Sequence, residues 1–185
     1  MRVITGLARG RRLETLPGEV TRPTSEKVKE SLFSAIQFDI EGRRVLDLFA
    51  GSGQLGIEAL SRGASGCVFV DKNTEAVKII RQNLQHTGLS ASAQVLGTDA
   101  LSYLTRPGDR FDLVFLDPPY AAELLLPALN KVAPLVNDGG IIVCETEDGI
   151  TLPQRVDRFA VSKTYRFGRI FVWLYRYNVE GEDDV

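Results

Sequence analysis

One histidine and two cysteines stand in a chain of 185 residues, and that scarcity removes several chemistries. Cys67 and Cys144 lie in apolar runs, Cys67-Val68-Phe69-Val70 and Ile141-Ile142-Val143-Cys144, which reads as buried free thiols in a reducing cytoplasm. A lone His86 without a cysteine cluster cannot build the usual zinc ligand sets, so no metal is expected. A Ser-His-Asp mechanism would have to run through His86, which precedes Thr87-Gly88 at the end of an expected helix and reads as a C-terminal cation. No apolar run reaches membrane-spanning length, and the first residues lack the apolar core of a signal peptide. No membrane association is therefore expected, and the expected location is cytoplasmic. Net charge is only -2, which excludes a uniformly basic nucleic-acid binder.

What charge there is sits unevenly. Residues 1–12 carry Arg2, Arg9, Arg11 and Arg12 and no acid, and 155–176 carry six cations against Asp157. Such patches suit a phosphate-bearing partner. The last six residues, from Glu180 to Val185, are acidic and are expected to be disordered. The chain divides on this basis into a basic hairpin arm (1–20), one catalytic-sized domain (21–178) and an acidic tail (179–185).

Periodicity supplies the fold. Short strands are expected at 2–6 and 11–16, and a helix beginning at Thr24 or Ser25 with a Val28, Leu32, Ile36 stripe. From Arg44 the pattern alternates. Apolar strands are expected at 45–49, 66–70, 93–96, 113–116 and 140–144, separated by helices at 54–62, 74–86, 100–104 and 122–136, with Pro127 in an early turn of the last. Two alternating strands follow at 158–165 and 170–177. Nearly continuous apolar strands joined by helices predict an α/β fold with a doubly wound, mostly parallel sheet, closed by an antiparallel edge pair. Ligands of such sheets bind beyond the carboxyl ends of the strands.

Each of those ends carries something polar. Asp47 precedes Gly51-Ser52-Gly53-Gln54-Leu55-Gly56, whose glycines permit tight turning and close approach to a ligand. The next two strands end in Asp71 and in Thr98-Asp99-Ala100. The fourth runs into Asp117-Pro118-Pro119-Tyr120. Two prolines make a stiff extended corner with an acid at its start and an aromatic ring at its end. That corner suits a planar base bearing an exocyclic amine. The glycine pattern also matches the dinucleotide fingerprint, with Asp71 fifteen residues after Gly56. Hydride transfer has no use for the Asp-Pro-Pro-Tyr corner, which favours S-adenosylmethionine over NAD. Asp71 is then the ribose ligand and Asp99 the acceptor for the adenine amine, while Asp47 orients the loop or receives the cofactor's ammonium. Asp47 and Asp99 could equally be a buried structural acid and a helix cap.

With these residues in view, the chain resembles class I (Rossmann-like) methyltransferases of exocyclic amines, and more narrowly the bacterial 16S rRNA guanine-N2 methyltransferase family, ribosomal small-subunit methyltransferase D. The resemblance covers residues 1 to about 177. It rests on Arg2-Val3-Ile4-Thr5-Gly6, Arg9-Gly10-Arg11-Arg12-Leu13, Arg22-Pro23-Thr24, the run from Val28 to Phe33, the glycine loop and the Asp-Pro-Pro-Tyr corner. Thr5 and Gln54 depart from the family pattern. The resemblance implies a monomer that methylates guanine N2 of 16S rRNA, within small ribosomal subunit particles. Asp117, Pro118 and Tyr120 would be catalytic. Asp47, Gly51, Ser52, Gly53, Leu55, Asp71, Lys72, Asp99, Ala100 and Asp117 would bind cofactor. Arg9, Arg11, Arg12, Arg22, Thr24, Pro119 and Tyr120 would bind RNA. The alternatives are a DNA amino-methyltransferase (N6-adenine or N4-cytosine) and a non-catalytic RNA-binding module that keeps the fold.

Overall fold

The computed structural model describes residues 1–17, 24–106, 108–119 and 121–178. Tyr120, Arg22 and the acidic tail lie outside the described residues, as do the side chains of Thr24 and Ser25.

Five strands, β1 (Arg44–Leu48), β2 (Gly66–Asp71), β3 (Ala93–Gly97), β4 (Phe111–Leu116) and β5 (Val136–Glu147), pair in parallel. β6 (Arg155–Val156), β7 (Phe159–Phe167) and β8 (Ile170–Tyr177) extend the sheet antiparallel, in the order β3-β2-β1-β4-β5-β8-β7-β6. The order reverses between β1 and β4, which opens a crevice above their carboxyl ends. Helices α1 (Thr24–Ala35), α2 (Gln54–Ser61) and α3 (Thr74–Thr87) cover one face, and α4 (Ala100–Tyr103) and α5 (Ala121–Val132) the other.

Strand alternation divides the core accordingly. Val45 packs toward α2 with Ile57 and Phe69, while Leu46 and Leu48 pack toward α5 with Leu125 and Leu129. Asp47 shares the face of Val45 and so points at the start of α2. α2 lies tight on β2 there. A Cβ on Gly56 would stand 2.4 Å from Phe69 Cε1 and 2.7 Å from Cys67 Sγ, so only glycine fits.

Three expectations are corrected. The two N-terminal strands reduce to one bridge, between Arg2 and Arg12. The hairpin is kept by Val3 N–H to the Arg11 carbonyl, Gly10 N–H to the Val3 carbonyl and Leu13 N–H to the Met1 carbonyl, and it docks on α2: Ile4 and Thr5 N–H donate to the Glu58 carboxylate, and Ala8 N–H to Ser61 Oγ. Gly6 is the pivot, at φ +89°, where a Cβ would meet the Ser61 carbonyl oxygen at 1.8 Å. Val3, Ala8 and Leu13 are buried in the same cluster as α1 and α2, so the segment is docked along its length. Pro127 sits in the interior of α5, not in its first turn, and is exposed. β5 begins at Val136, not residue 140, and breaks register with β4 between Phe111 and Leu113, where Asn137-Asp138-Gly139-Gly140 hides the strand from any apolar pattern.

Candidate active site

A cavity of about 400 Å³ opens at the carboxyl ends of β1, β2 and β4, lined among others by Asp47, Gly51, Ser52, Leu55, Asp71 and Lys72. Asp117, Pro118 and Pro119 form its opposite wall. Nine of the residues expected from the sequence therefore converge, although they come from three separate strand ends; Gly53 is not among those that line the cavity.

Each acid has a defined position. Asp47 is buried and its Oδ2 accepts the Gly56 N–H at 2.9 Å, which fixes the first turn of α2 relative to β1. Asp71 accepts Gly51 N–H at 2.9 Å on one oxygen and Asn73 N–H at 2.8 Å on the other. Asn73 in turn caps α3 by accepting from Glu75 N–H. The loop between β1 and α2 is tied down by Phe49 and Ala50 N–H, which both donate to the Val70 carbonyl at 3.0 Å. Gly53 caps α2 at φ 77°, in left-handed space that only glycine enters freely.

Asp99 and Ala100 do not line this cavity. Asp99 caps α4, accepting Ser102 N–H at 2.9 Å, and that hydrogen bond holds its carboxyl below the ordinary value. Six wall residues, Met1, Leu16, Phe49, Ala50, Gln54 and Asn73, were not among the expected site residues. Met1 and Leu16 bring the N-terminal segment to the cavity, and Phe49 lines it from a left-handed backbone, φ 68°. Nothing in a one-dimensional pattern marks a phenylalanine for positive φ.

The electrostatics are one-sided. Among the described residues, three acidic side chains, Asp47, Asp71 and Asp117, line the cavity, with Lys72 the one basic side chain. Burial raises the Asp47 pKa to about 8; the Gly56 bond opposes this, and the Asp117 and Asp71 charges reinforce it. Between pH 4 and 8 the native carboxyl therefore keeps a proton that the unfolded chain has lost. Stability must fall as pH rises through that window, by up to about 1.4 kcal/mol per unit. Asp47→Asn cannot ionise and can still accept from Gly56. Its urea midpoint should gain on the parent's from pH 5 to pH 8 and level off above; parallel curves would show that Asp47 is already ionised in the native state. Gln54 Oε1, also in the cavity wall, is buried without a hydrogen-bond partner among the described residues. No group of three or more His, Cys, Asp or Glu among the described residues is placed to hold a metal ion.

None of Arg2, Arg9, Arg11 and Arg12 lines the cavity; Arg2 and Arg12 pair beside Met1 of its wall, while the turn that carries Arg9 docks at Ser61, the last residue of α2. Arg9, Arg11 and Arg12 are exposed, with Arg11 also reaching the His86 carbonyl at 3.2 Å. The second basic stretch forms no comparable patch. Arg158 pairs with Asp138, Arg176 with Asp39 and Arg166 with Asp148, at different places along the sheet.

A parallel sheet reversing between β1 and β4, a glycine loop at the switch point and an Asp-Pro-Pro corner across from it define a class I methyltransferase fold. The comparisons narrow this. A family model described as Conserved hypothetical protein 95 matches residues 1–176. Ribosomal RNA small subunit methyltransferase D of Escherichia coli is 33% identical, aligned over 100% of this chain and 93% of its own. A candidate rRNA methyltransferase of Bacillus subtilis is 40% identical over 95% of this chain and 98% of its own. A solved Escherichia coli structure described as a candidate methyltransferase superposes with TM-score 0.85 at 32% identity, covering 97% of this chain and 99% of that one. The chain belongs to the small-subunit methyltransferase D family.

Proposed function

We propose that this protein transfers a methyl group from S-adenosylmethionine to the exocyclic N2 of a guanine in 16S rRNA. The observation that carries the reading is the Asp117-Pro118-Pro119 corner set in the wall of an acid-lined cavity beside the glycine loop. A dinucleotide would bring its pyrophosphate against the Asp71 and Asp117 carboxylates. A sulfonium cofactor with a free ammonium brings positive charge instead, and Gln54 Oε1 offers that ammonium an acceptor.

The cofactor supplies an electrophilic methyl group on a sulfonium centre. Asp71 has lone pairs beyond its two backbone bonds for the ribose hydroxyls. Gly51, Ser52, Gly53, Leu55 and Lys72 line or shape the cofactor loop, and Asp99 with Ala100 would meet the adenine end. Guanine N2 is a weak nucleophile because its lone pair is delocalised into the ring. The Asp117 carboxylate and Pro118 carbonyl accept its two N–H bonds, localise the lone pair and stabilise the positive charge that develops. Pro119 and Tyr120 pack against a base that has left its stack. Arg9, Arg11, Arg12, Arg22 and Thr24 would hold the flanking RNA.

The support beyond geometry is that full-length relatives carry the names of rRNA methyltransferases. The test is incubation with methyl-labelled S-adenosylmethionine and unmethylated small-subunit particles, naked 16S rRNA or DNA, with nucleosides identified by mass spectrometry. N2-methylguanosine from rRNA is expected. Label confined to N6-adenine or N4-cytosine of DNA would overturn the substrate, and cofactor binding without any label would leave an RNA-binding module. Alanine at Arg9, Arg11 and Arg12 should flatten the salt dependence of RNA affinity by about 2 in log–log slope, at roughly 0.7 per single-strand phosphate contact. An unchanged slope would remove these arginines from the interface.

A further inference from the structure

Asn83 lies on α3, one of the helices that back the cavity, and does not itself line it. Its side chain is 1% exposed and fully engaged with backbone from two other segments. Asn83 Oδ1 accepts the Glu14 N–H at 2.8 Å, and its Nδ2 donates to the Glu14 carbonyl at 2.9 Å. The amide thus pairs with Glu14 as a neighbouring strand would. The second Nδ2 proton goes to the Ser52 carbonyl, again at 2.9 Å. Glu14 leads two residues on to Leu16, and both Leu16 and Ser52 line the cavity. One planar group therefore joins the N-terminal wall of the cavity to the glycine loop. The loop's other fastenings, Asp47 to Gly56 and Asp71 to Gly51, leave the Ser52 carbonyl untouched.

We propose that Asn83 is the positioning residue that holds the N-terminal wall and the glycine loop in register for the cofactor. The proposal rests on the assignment of this cavity to S-adenosylmethionine. Only an amide satisfies the set. Leucine of similar size leaves Glu14 N–H and both carbonyls without partners. Aspartate keeps the acceptor for the Glu14 N–H but turns its second oxygen toward the Glu14 and Ser52 carbonyl oxygens, so it loses both donated bonds, the loop connection among them. The Glu14 side chain takes no part in any of the three bonds.

The test is calorimetric titration of S-adenosylhomocysteine into the parent protein and into the Asn83→Leu, Asn83→Asp and Glu14→Ala variants. Circular dichroism at the same temperature checks folding. Both Asn83 variants should bind about tenfold more weakly at full stoichiometry, and Glu14→Ala should match the parent. In turnover, Asn83→Asp should raise KM for S-adenosylmethionine about tenfold with kcat at saturation within about twofold. Unchanged affinity would overturn the proposal. So would reduced stoichiometry at unchanged Kd, which means only that some molecules are unfolded. Failure of the parent to bind S-adenosylhomocysteine would instead overturn the cofactor assignment on which the proposal stands.

Discussion

Glu58→Ala should cost about 3–5 kcal/mol of stability, the range for removing one partner of a buried ion pair. Glu58 is fully buried on α2 and serves four donors: Ile4 N–H at 2.8 Å, Thr5 N–H at 3.0 Å, Arg62 Nε at 2.8 Å, and the Lys29 ammonium at 3.6 Å. Lys29 is itself buried, and its Nζ donates to the Arg2 carbonyl at 2.7 Å. Burial lowers the Lys29 pKa, and the Glu58 carboxylate is the chief charge opposing that shift. Alanine would strand the ammonium and two backbone donors together. Domains are commonly stable by only about 5–15 kcal/mol, so the loss should be plain in a urea midpoint. Glu58→Gln can still accept hydrogen bonds but brings no charge to Lys29, so it should fall between. Equal midpoints for parent and alanine variant would mean the network contributes nothing net.

Asp117→Ala should lower kcat by about 100- to 1000-fold, the range seen when one preorganised electrostatic partner of a transition state is removed. Asp117 stands where β4 ends, with Pro118 and Pro119 fixing the backbone after it, and it faces the loop that ends β1 across the cavity. Asp117→Asn keeps one acceptor but replaces the other with a donor that opposes the amine, so it should not rescue turnover. Cofactor affinity, read by titration of S-adenosylhomocysteine, should change by no more than a few-fold. Turnover within tenfold of the parent would remove Asp117 from the chemistry.

The central fold was legible because parallel strands buried on both faces leave apolar runs, as in Leu113-Val114-Phe115-Leu116. The ends of those runs located the cavity for the same reason: an acid after a fully apolar strand is conspicuous. Asp47 shows the limit. Its place inside β1 was readable, but the sequence could not tell a loop anchor from a ligand; the Gly56 bond establishes the anchor. The dual reading of Asp99 divides in the same way, since its bond to Ser102 N–H is a cap. The N-terminal hairpin keeps its local bonds, Val3 to Arg11 and Leu13 to Met1, but its docking was not legible, because the docking bonds go to Glu58, Ser61 and Asn83, far along the chain, and local pattern carries no trace of such partners. Buried Lys29 was hidden likewise, since a lysine in a helix normally reads as solvated.

Phe49 puts stability and site in opposition. A non-glycine residue at φ 68° carries strain of order 1–3 kcal/mol, and the loop bonds to Val70 hold it there. Selection for thermal tolerance alone would favour glycine or asparagine at this position, and each would strip an aromatic wall from the cavity. Laboratory evolution of a hardier protein would then drift away from the site it was meant to preserve, so position 49 is one to fix before any such library is built.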